Sequence, residues 1–276
     1  MKYIITLLAI ALVTTAPSMA QSHSLARIWQ TEPLLKTPES VLFDEKAQLL
    51  YVSNIDGAPD GKDGQGSIGK VGLDGKIIEV EWVKGLNAPK GMGIYKGKMY
   101  VADLTEVVVI DIAKAQIEKK IPVAGSVFLN DITIDKKGIV YVSDTRINKV
   151  YGIENGNVFT LLQGLQGPNG LLAVGKELYV LDKGSLLRMT ESRNLDKLAE
   201  GMDPSTDGIE MVKTNEYIVS CWSGIIYYVE ANGNKTTLLD TRKESVNTAD
   251  IGYDAKKKIL YVPTFFKNHI AAYQLK

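Results

Sequence analysis

A Tyr-Val pair that closes a short apolar run recurs along this chain. The tyrosine position falls at Tyr51, Tyr100, Tyr141, Tyr179, Ile218 and Tyr261, in steps of 49, 41, 38, 39 and 43 residues, with isoleucine replacing tyrosine once. Repeats of about forty residues are typical of β-propeller blades. Six occurrences therefore predict six blades.

Each repeat has room for four strands. In the first repeat, four strand-like segments span residues 39–43, 49–53, 67–73 and 76–83, with turn residues between them. The last repeat is one strand short, since only residues 269–275 follow Tyr261. Residues 25–30 precede the first repeat and belong to no other blade, so we expect them to complete blade six and to pair its open edge. The sequence predicts an all-β, six-bladed propeller.

The first twenty residues have the pattern of a signal peptide. Lys2 precedes an apolar stretch from Tyr3 to Val13, and Ser18 and Ala20 are small residues at the positions that a signal peptidase requires. The stretch is too short to span a bilayer core of about 30 Å, and no cysteine lies near the predicted cleavage point. We therefore expect residues 21–276 to form one propeller domain, exported to the periplasm or the medium without a membrane anchor.

Charge and cysteine content limit the possible partners. The chain has 32 basic and 32 acidic residues, and removing residues 1–20 takes away one lysine, which leaves a net charge of −1. No basic patch indicates nucleic acid, and no partner protein is evident. Cys221 is the only cysteine, so no intrachain disulfide can form, and we expect it to pack between strands. A small molecule is the expected partner.

One residue near the start of each innermost strand should point into the mouth of the central channel. Counting back from each Tyr-Val pair, these residues are Glu39, Lys90, Asn130, Asn169, Asp207 and Asp250. Asn and Asp also favour turns for local backbone reasons, which is the alternative explanation. Glutamate is not a favoured turn former, and two carboxylates with two amides form an oxygen site suited to Ca²⁺.

Four motifs resemble those of a known family. They are Thr37-Pro38-Glu39-Ser40, Leu129-Asn130-Asp131-Ile132, Gly167-Pro168-Asn169-Gly170-Leu171 and Thr206-Asp207-Gly208-Ile209. Because these motifs occur in the order and spacing of that family, the chain resembles the senescence marker protein, gluconolactonase and luciferin-regenerating-enzyme group over residues 21–276. It more distantly resembles paraoxonases and diisopropylfluorophosphatase. The resemblance implies one calcium ion held by Glu39, Asn130, Asn169 and Asp207, with Asp207 as base or nucleophile.

Such a site is suited to hydrolysis. Four protein ligands leave two or more of the roughly 6–8 positions of Ca²⁺ open, where the ion can polarise a substrate carbonyl. Asp207 is the first candidate for the catalytic base, and Asp250 is the second. Asp131 is a weaker third candidate, because strand alternation should turn it away from the mouth. His23 is expected in a disordered tail, so a histidine dyad of the paraoxonase kind cannot form.

Loops after the Tyr-Val strands supply candidates for the rim of the mouth. They are Asn54, Asp103, Asp144, Arg146, Asp182, Lys183, Trp222, Phe265, Phe266 and His269. For substrate contact we favour Trp222, Phe266 and His269 from this set, together with Lys90 and Phe128. Lys90 either contacts an anionic substrate group or is a solvated turn lysine. The aromatic residues either form an apolar wall or simply pack.

Two further features bear on function. The glycine-rich, acidic loop 56–66 is either a lid or a solvated loop, and its aspartate spacing does not predict a second metal site. The arginine that precedes the blade-three asparagine in sugar lactonases is replaced here by Val127-Phe128-Leu129, which predicts an apolar pocket for a hydrophobic lactone or aryl ester.

Two hypotheses for the function remain. The first is a calcium-dependent hydrolase of lactones or esters, and the second is a non-catalytic, calcium-stabilised propeller that binds a ligand or protein.

Overall fold

The computed structural model describes residues 23–276, and these form six four-stranded antiparallel sheets. The propeller prediction is confirmed. The predicted signal peptide, residues 1–20, lies outside the described residues.

The strands follow one another regularly along the chain. Strand β1 (Leu25–Gln30) comes first, and blade one then comprises β2 (Pro38–Asp44), β3 (Leu49–Asn54), β4 (Gly66–Gly72) and β5 (Ile77–Leu86). Blade two comprises β6 (Pro89–Tyr95), β7 (Lys98–Asp103), β8 (Glu106–Asp111) and β9 (Gln116–Pro122). Blade three comprises β10 (Leu129–Ile134), β11 (Val140–Asp144), β12 (Lys149–Glu154) and β13 (Asn157–Gln163).

The second half of the chain repeats this order. Blade four comprises β14 (Pro168–Val174), β15 (Glu177–Asp182), β16 (Ser185–Met189) and β17 (Leu195–Ala199). Blade five comprises β18 (Thr206–Lys213), β19 (Glu216–Cys221), β20 (Ile225–Val229) and β21 (Lys235–Asp240). Blade six comprises β22 (Gly252–Asp254), β23 (Ile259–Pro263), β24 (Ile270–Leu275) and β1, with a 3₁₀ turn at Phe265–Lys267 before β24.

The N-terminal strand closes the ring, as predicted. β1 pairs with β24 in antiparallel register, from Leu25 opposite Leu275 to Gln30 opposite Ala271. The indole of Trp29 donates a hydrogen bond to the carbonyl of Leu73 at 3.0 Å, which ties blade six to blade one. The prediction of a disordered His23 is wrong, because its ring stacks on Tyr228 with centroids 3.8 Å apart. β1 is the outermost strand of blade six and gives this sheet its fourth strand.

The recurring Tyr-Val pair marks the second strand of each blade, where both sheet faces are covered by neighbouring blades. Tyr51 and Val52 are almost completely buried, and so are Tyr179 and Tyr261. Tyr179 packs against Tyr217 of the next blade at 5.1 Å between ring centroids. The side chains of the recurring pair therefore contribute to the hydrophobic layer between blades. Cys221 is also fully buried, as expected, and burial raises the pKa of its thiol.

The innermost strands β2, β6, β10, β14, β18 and β22 surround the channel. Glycine permits their close approach at two positions. A Cβ atom on Gly91 would overlap the carboxylate of Asp131, and a Cβ atom on Gly208 would overlap Asp250. The inner strands can thus bring polar side chains from different blades together on the channel axis.

Candidate functional site

The mouth of the channel opens into a cavity of about 260 Å³. Five of the six predicted mouth residues line it: Glu39, Lys90, Asn130, Asn169 and Asp207. Each is the second residue of its innermost strand. Successive side chains of a strand point to opposite sides, so this shared position aims all five at one space.

The two asparagines have their amide nitrogens committed to the protein. Asn130 Nδ2 donates to Thr145 Oγ1 at 3.0 Å, and that hydroxyl donates to the carbonyl of Pro168 at 2.8 Å. Asn169 Nδ2 donates to Asp207 Oδ1 at 2.8 Å. Both amides are therefore fixed in an orientation that keeps their carbonyl oxygens free to bind a ligand.

Two buried oxygens at the mouth accept no hydrogen bond from residues 23–276. They are Glu39 Oε2 and Asn169 Oδ1. A buried polar atom without a partner costs about 1–3 kcal/mol, and a charged one costs more. Among residues that line one cavity, such atoms suit a ligand that offers positive charge or a hydrogen-bond donor.

The carboxylates of the mouth are costly to ionise in this environment. Burial raises the pKa of Glu39 well above its usual range, and the charge of Asp207 raises it further. Burial likewise raises the pKa of Asp207, with Asp250 adding to the effect, while the hydrogen bond from Asn169 opposes it. A bound cation would favour the ionised form of both groups.

Lys90 is 2% exposed, so the alternative of a solvated turn lysine is wrong. Its ammonium donates to the carbonyls of Pro59 at 2.8 Å and Ala88 at 3.1 Å, and it lies 4.7 Å from the centre of the Phe128 ring. Burial lowers the pKa of Lys90, and the charge of Glu39 opposes that shift. The lysine is held against the cavity wall and forms no ion pair with Glu39 or Asp207 in the described part of the chain.

Asp250, the sixth predicted residue, lies deeper than the other five. Its backbone forms a parallel bridge with Ser40, and Ser40 Oγ donates to its carboxylate at 2.5 Å. Asp250 is therefore level with Ser40, one residue below Glu39. The register between blades six and one sets this depth, and the number of residues from Asp250 to Tyr261 does not predict that register. Its role as second catalytic candidate stays a prediction.

A second cavity of about 170 Å³ lies in the channel at this deeper level. Asp131, Glu210 and Asp250 bring three carboxyl groups to it. Asp131 accepts hydrogen bonds from the backbone N–H groups of Ile132 and Leu171, each at 2.6 Å. As expected, Asp131 faces away from the mouth. Glu210 was missed, although alternation from Gly208 along β18 places it on the same side.

Aromatic side chains form much of the mouth wall. Phe128 and Trp222 line the cavity as predicted, and Phe265 lines it as well. Phe265 has a positive φ of 49° and packs its ring edge-on against Trp222 at 5.6 Å. Phe266 is 61% exposed and stands outside the cavity lining, as does His269, whose pKa is lowered by burial. The wall is apolar, consistent with the prediction made from Phe128.

Three acidic rim candidates have a structural role instead. They accept hydrogen bonds from the backbone of the loop that leads into their blade. Asp103 binds the N–H groups of Asn87 and Ala88, Asp144 binds those of Val127 and Phe128, and Asp182 binds that of Gln166. These aspartates fix the loops that deliver the innermost strands.

The loop 56–66 packs beside the mouth. Pro59 lines the cavity, and its carbonyl accepts the bond from Lys90. Asp60 accepts a hydrogen bond from Arg146 Nη2 at 2.9 Å, and Lys62 Nζ donates to Thr105 Oγ1 at 3.0 Å. The loop is thus attached to blade two, which is next to its own blade, and to blade three.

The donor set fits a hard cation. Within residues 23–276, no three acidic, histidine or cysteine side chains form a metal cluster on their own. The candidate set instead combines the carboxylates of Glu39 and Asp207 with the amide oxygens of Asn130 and Asn169. Oxygen atoms from carboxylates and amides are ligands that Ca²⁺ accepts, and two of the four are unpartnered.

Comparison with known proteins supports the fold. No protein-family model and no curated protein matches the chain. A catalytically inactive variant of virginiamycin B lyase from Staphylococcus aureus, solved with quinupristin, is 14% identical with a TM-score of 0.64, over 92% of this chain and 100% of that one. A chain of a nidogen/laminin complex is 19% identical with a TM-score of 0.60, and the match covers 74% of this chain and 83% of that one.

A third similar structure is much longer than this protein. The extracellular domain of a proposed hybrid two-component system from B. thetaiotaomicron is 18% identical with a TM-score of 0.58, over 86% of this chain. This chain spans about a third of its length, 34%. At these identities the likeness shows a propeller fold and nothing finer. No helix within residues 23–276 is long and apolar enough to cross a membrane.

Proposed function

We propose that this protein is an exported, calcium-dependent hydrolase of lactones or related esters. The observation that carries the proposal is the pair of unpartnered buried oxygens, Glu39 Oε2 and Asn169 Oδ1, which belong to side chains at one cavity with Asn130 and Asp207. The four motifs resembling the gluconolactonase group support the same function. Export rests on the signal-peptide pattern of residues 1–20.

Glu39, Asn130, Asn169 and Asp207 would hold the ion. When bound, calcium supplies electrostatic stabilisation of the negative charge that develops on a substrate carbonyl. Asp207 is suited to take the proton of an attacking water, because Asn169 Nδ2 fixes its carboxylate at 2.8 Å. Phe128, Trp222 and Phe265 exclude water and favour a substrate with an apolar body.

A non-catalytic binding module is the second candidate, and Lys90 favours it. The buried ammonium brings one positive charge to a cavity with two carboxylates. The mouth therefore needs less charge from a cation than Glu39 and Asp207 alone would suggest. In that case calcium would only stabilise the channel, and the rim would bind a ligand or protein that is not turned over.

Calorimetric titration of calcium into chelator-stripped protein tests the proposal. We expect one ion to bind, and Glu39→Gln to weaken its binding at least ~100-fold, because the site loses a charged ligand. Glu210→Gln is the matched control, since it removes a carboxylate from the deeper cavity. Absence of calcium binding, or equal losses in the two variants, would contradict a calcium site at the mouth.

Hydrolysis is tested separately with a panel of aryl esters and hydrophobic lactones. We expect turnover with calcium and none with excess chelator. Calcium binding without turnover of any compound would favour the binding module. Faster turnover of a polyhydroxylated lactone than of an apolar one would contradict the apolar pocket.

A further inference from the structure

Two cations contact a single aromatic ring at the mouth. Lys90 Nζ lies 4.7 Å and the Arg146 guanidinium 4.4 Å from the centre of the Phe128 ring. A ring face attracts each cation without using its hydrogen-bond donors, and Lys90 gives two of its donors to backbone carbonyls. The wall formed by blades two and three is therefore basic as well as apolar.

A carboxylate of the protein already occupies this basic position. Asp60 Oδ2 accepts a hydrogen bond from Arg146 Nη2 at 2.9 Å, and the neighbouring Pro59 carbonyl accepts one from Lys90 at 2.8 Å. Arg146 lowers the pKa of Asp60, and Lys90 lowers it further. Asp60 thus lies in the field of both cations.

We propose that the mouth recognises a carboxylate on its ligand, which replaces Asp60 at Arg146 and is also attracted by Lys90. The ligand class is then an apolar monocarboxylate or, with the reacting group of the proposed function on which this inference rests, an ester or lactone bearing a carboxylate. Lys90 and Phe128 line the cavity, while Arg146 and Asp60 lie at its rim, next in the chain to the lining residues Thr145 and Pro59. Phe128 would contact the ligand's apolar body.

Exchange of Asp60 for a ligand carboxylate is inexpensive. The side chains of Arg146 and Asp60 are 49% and 53% exposed, and exposed pairs of this kind contribute little to stability. The planar guanidinium of arginine matches a carboxylate with two parallel hydrogen bonds. A ligand seated in the cavity adds contact with the aromatic wall, whereas Asp60 does not line the cavity.

With a divalent cation bound, the carboxylates of the cavity do not oppose this arrangement. Glu39 and Asp207 carry at most two negative charges, and the cation would cancel both. Lys90 and Arg146 then exceed Asp60 by one positive charge. Without a cation, the three carboxylates exceed the two basic groups by one charge, so we expect calcium to strengthen carboxylate binding.

Binding of phenylacetate and of its neutral analogue phenylacetamide tests the proposal by calorimetry, with calcium and with chelator. We expect phenylacetate to bind at least about tenfold more tightly than phenylacetamide, a difference of ~1.4 kcal/mol. Arg146→Gln should remove most of this preference and leave phenylacetamide unchanged. Asp60→Asn should strengthen phenylacetate binding about threefold to tenfold, because it removes the competing carboxylate.

Two further variants complete the test. Lys90→Met should weaken phenylacetate binding. If this variant does not fold, Arg146→Gln still tests the preference for a carboxylate, because Arg146 is exposed. Arg188→Gln is the matched control, because Arg188 pairs with Asp196 away from the mouth. No binding of phenylacetate at 10 mM, equal binding of the two probes, or weaker phenylacetate binding by Asp60→Asn would overturn the proposal. Neither probe needs turnover, so failure of the hydrolase hypothesis is seen separately, in the ester and lactone panel.

Discussion

The channel contains two acidic cavities, one above the other, and their carboxyl groups are satisfied in opposite ways. At the mouth, Glu39 keeps an unpartnered oxygen. One residue deeper, the carboxylate of Asp250 is bound by Ser40, and that of Asp131 by two backbone N–H groups. Acidic composition alone does not distinguish a ligand site from a structural cluster. The distinction lies in which oxygens the protein leaves without a donor.

The deeper carboxyl groups join blades, whereas Glu39 at the mouth keeps an oxygen that no residue of the described chain binds. Asp131 of blade three binds the N–H of Leu171 in blade four, and Asp250 of blade six is bound by Ser40 of blade one. The second of these bonds adds to backbone hydrogen bonds between the same two blades, from the N–H of Asp250 to the carbonyl of Glu39 and from the N–H of Val41 to the carbonyl of Asp250. We therefore expect substitutions at the mouth to change binding or activity and substitutions below it to change stability.

The largest expected effect separates Asp207 from Asp250. Under the hydrolase hypothesis, Asp207→Asn should lower kcat on the order of 10²–10⁴-fold, because the base is lost while Asn keeps the shape. Asp250→Asn should lower kcat less than about fivefold. Steady-state kinetics on the best ester measures both. If Asp250→Asn has the larger effect, the second catalytic candidate is the base.

Consecutive residues of β10 provide the next test. Asp131→Ala should lower the free energy of unfolding by roughly 2–4 kcal/mol, because it leaves two buried N–H groups without an acceptor. Asn130→Ala, one residue earlier, should cost about 1 kcal/mol and weaken calcium binding about tenfold. Urea denaturation and calcium titration of both variants measure this contrast. Similar profiles for the two would mean that the two cavities have no separate roles.

Stability should depend on pH through the deeper cavity. Burial raises the pKa of Asp250 to about 7 and that of Glu210 to about 8, whereas both ionise near 4 in the unfolded chain. The folded protein then binds more protons than the unfolded chain between these values. The metal-free protein should therefore lose stability as pH rises from about 5 to 8, by up to ~1.4 kcal/mol per pH unit for each group.

Denaturation at several pH values measures this slope. Asp250→Asn and Glu210→Gln should each flatten it, while Asp196→Asn on the outer surface of blade four should leave it unchanged. A slope of opposite sign, or one insensitive to both inner variants, would contradict carboxyl groups that stay protonated in the channel of the folded protein.

The smallest expected effect concerns the aromatic wall. Trp222→Ala should raise KM about fivefold for an aryl ester, near 1 kcal/mol, and leave kcat almost unchanged, since the ring contributes binding rather than chemistry. Phe266→Ala is the control, because Phe266 does not line the cavity. Equal effects of the two substitutions would show that the rim extends further than the cavity.

Local patterns were sufficient for the ring and for much of the mouth. The spacing of the Tyr-Val pairs predicted six blades, and the missing fourth strand of blade six predicted its closure by β1. Strand alternation correctly turned Asp131 away from the mouth. It would also have found Glu210, had it been followed along β18 from Gly208. These features depend on the two-residue alternation of strands and on the blade repeat of about forty residues, and both can be read from the sequence.

The sequence determined the number of blades, the closing strand and five side chains at one opening, because each follows from spacing within a single blade. Only the tertiary structure decided the depth of Asp250, the direction of Lys90 and the oxygens left without donors. Those depend on hydrogen bonds between residues far apart in the chain, such as Ser40 to Asp250 and Lys90 to Pro59. Contacts of that kind arise when blades meet, so no local pattern encodes them.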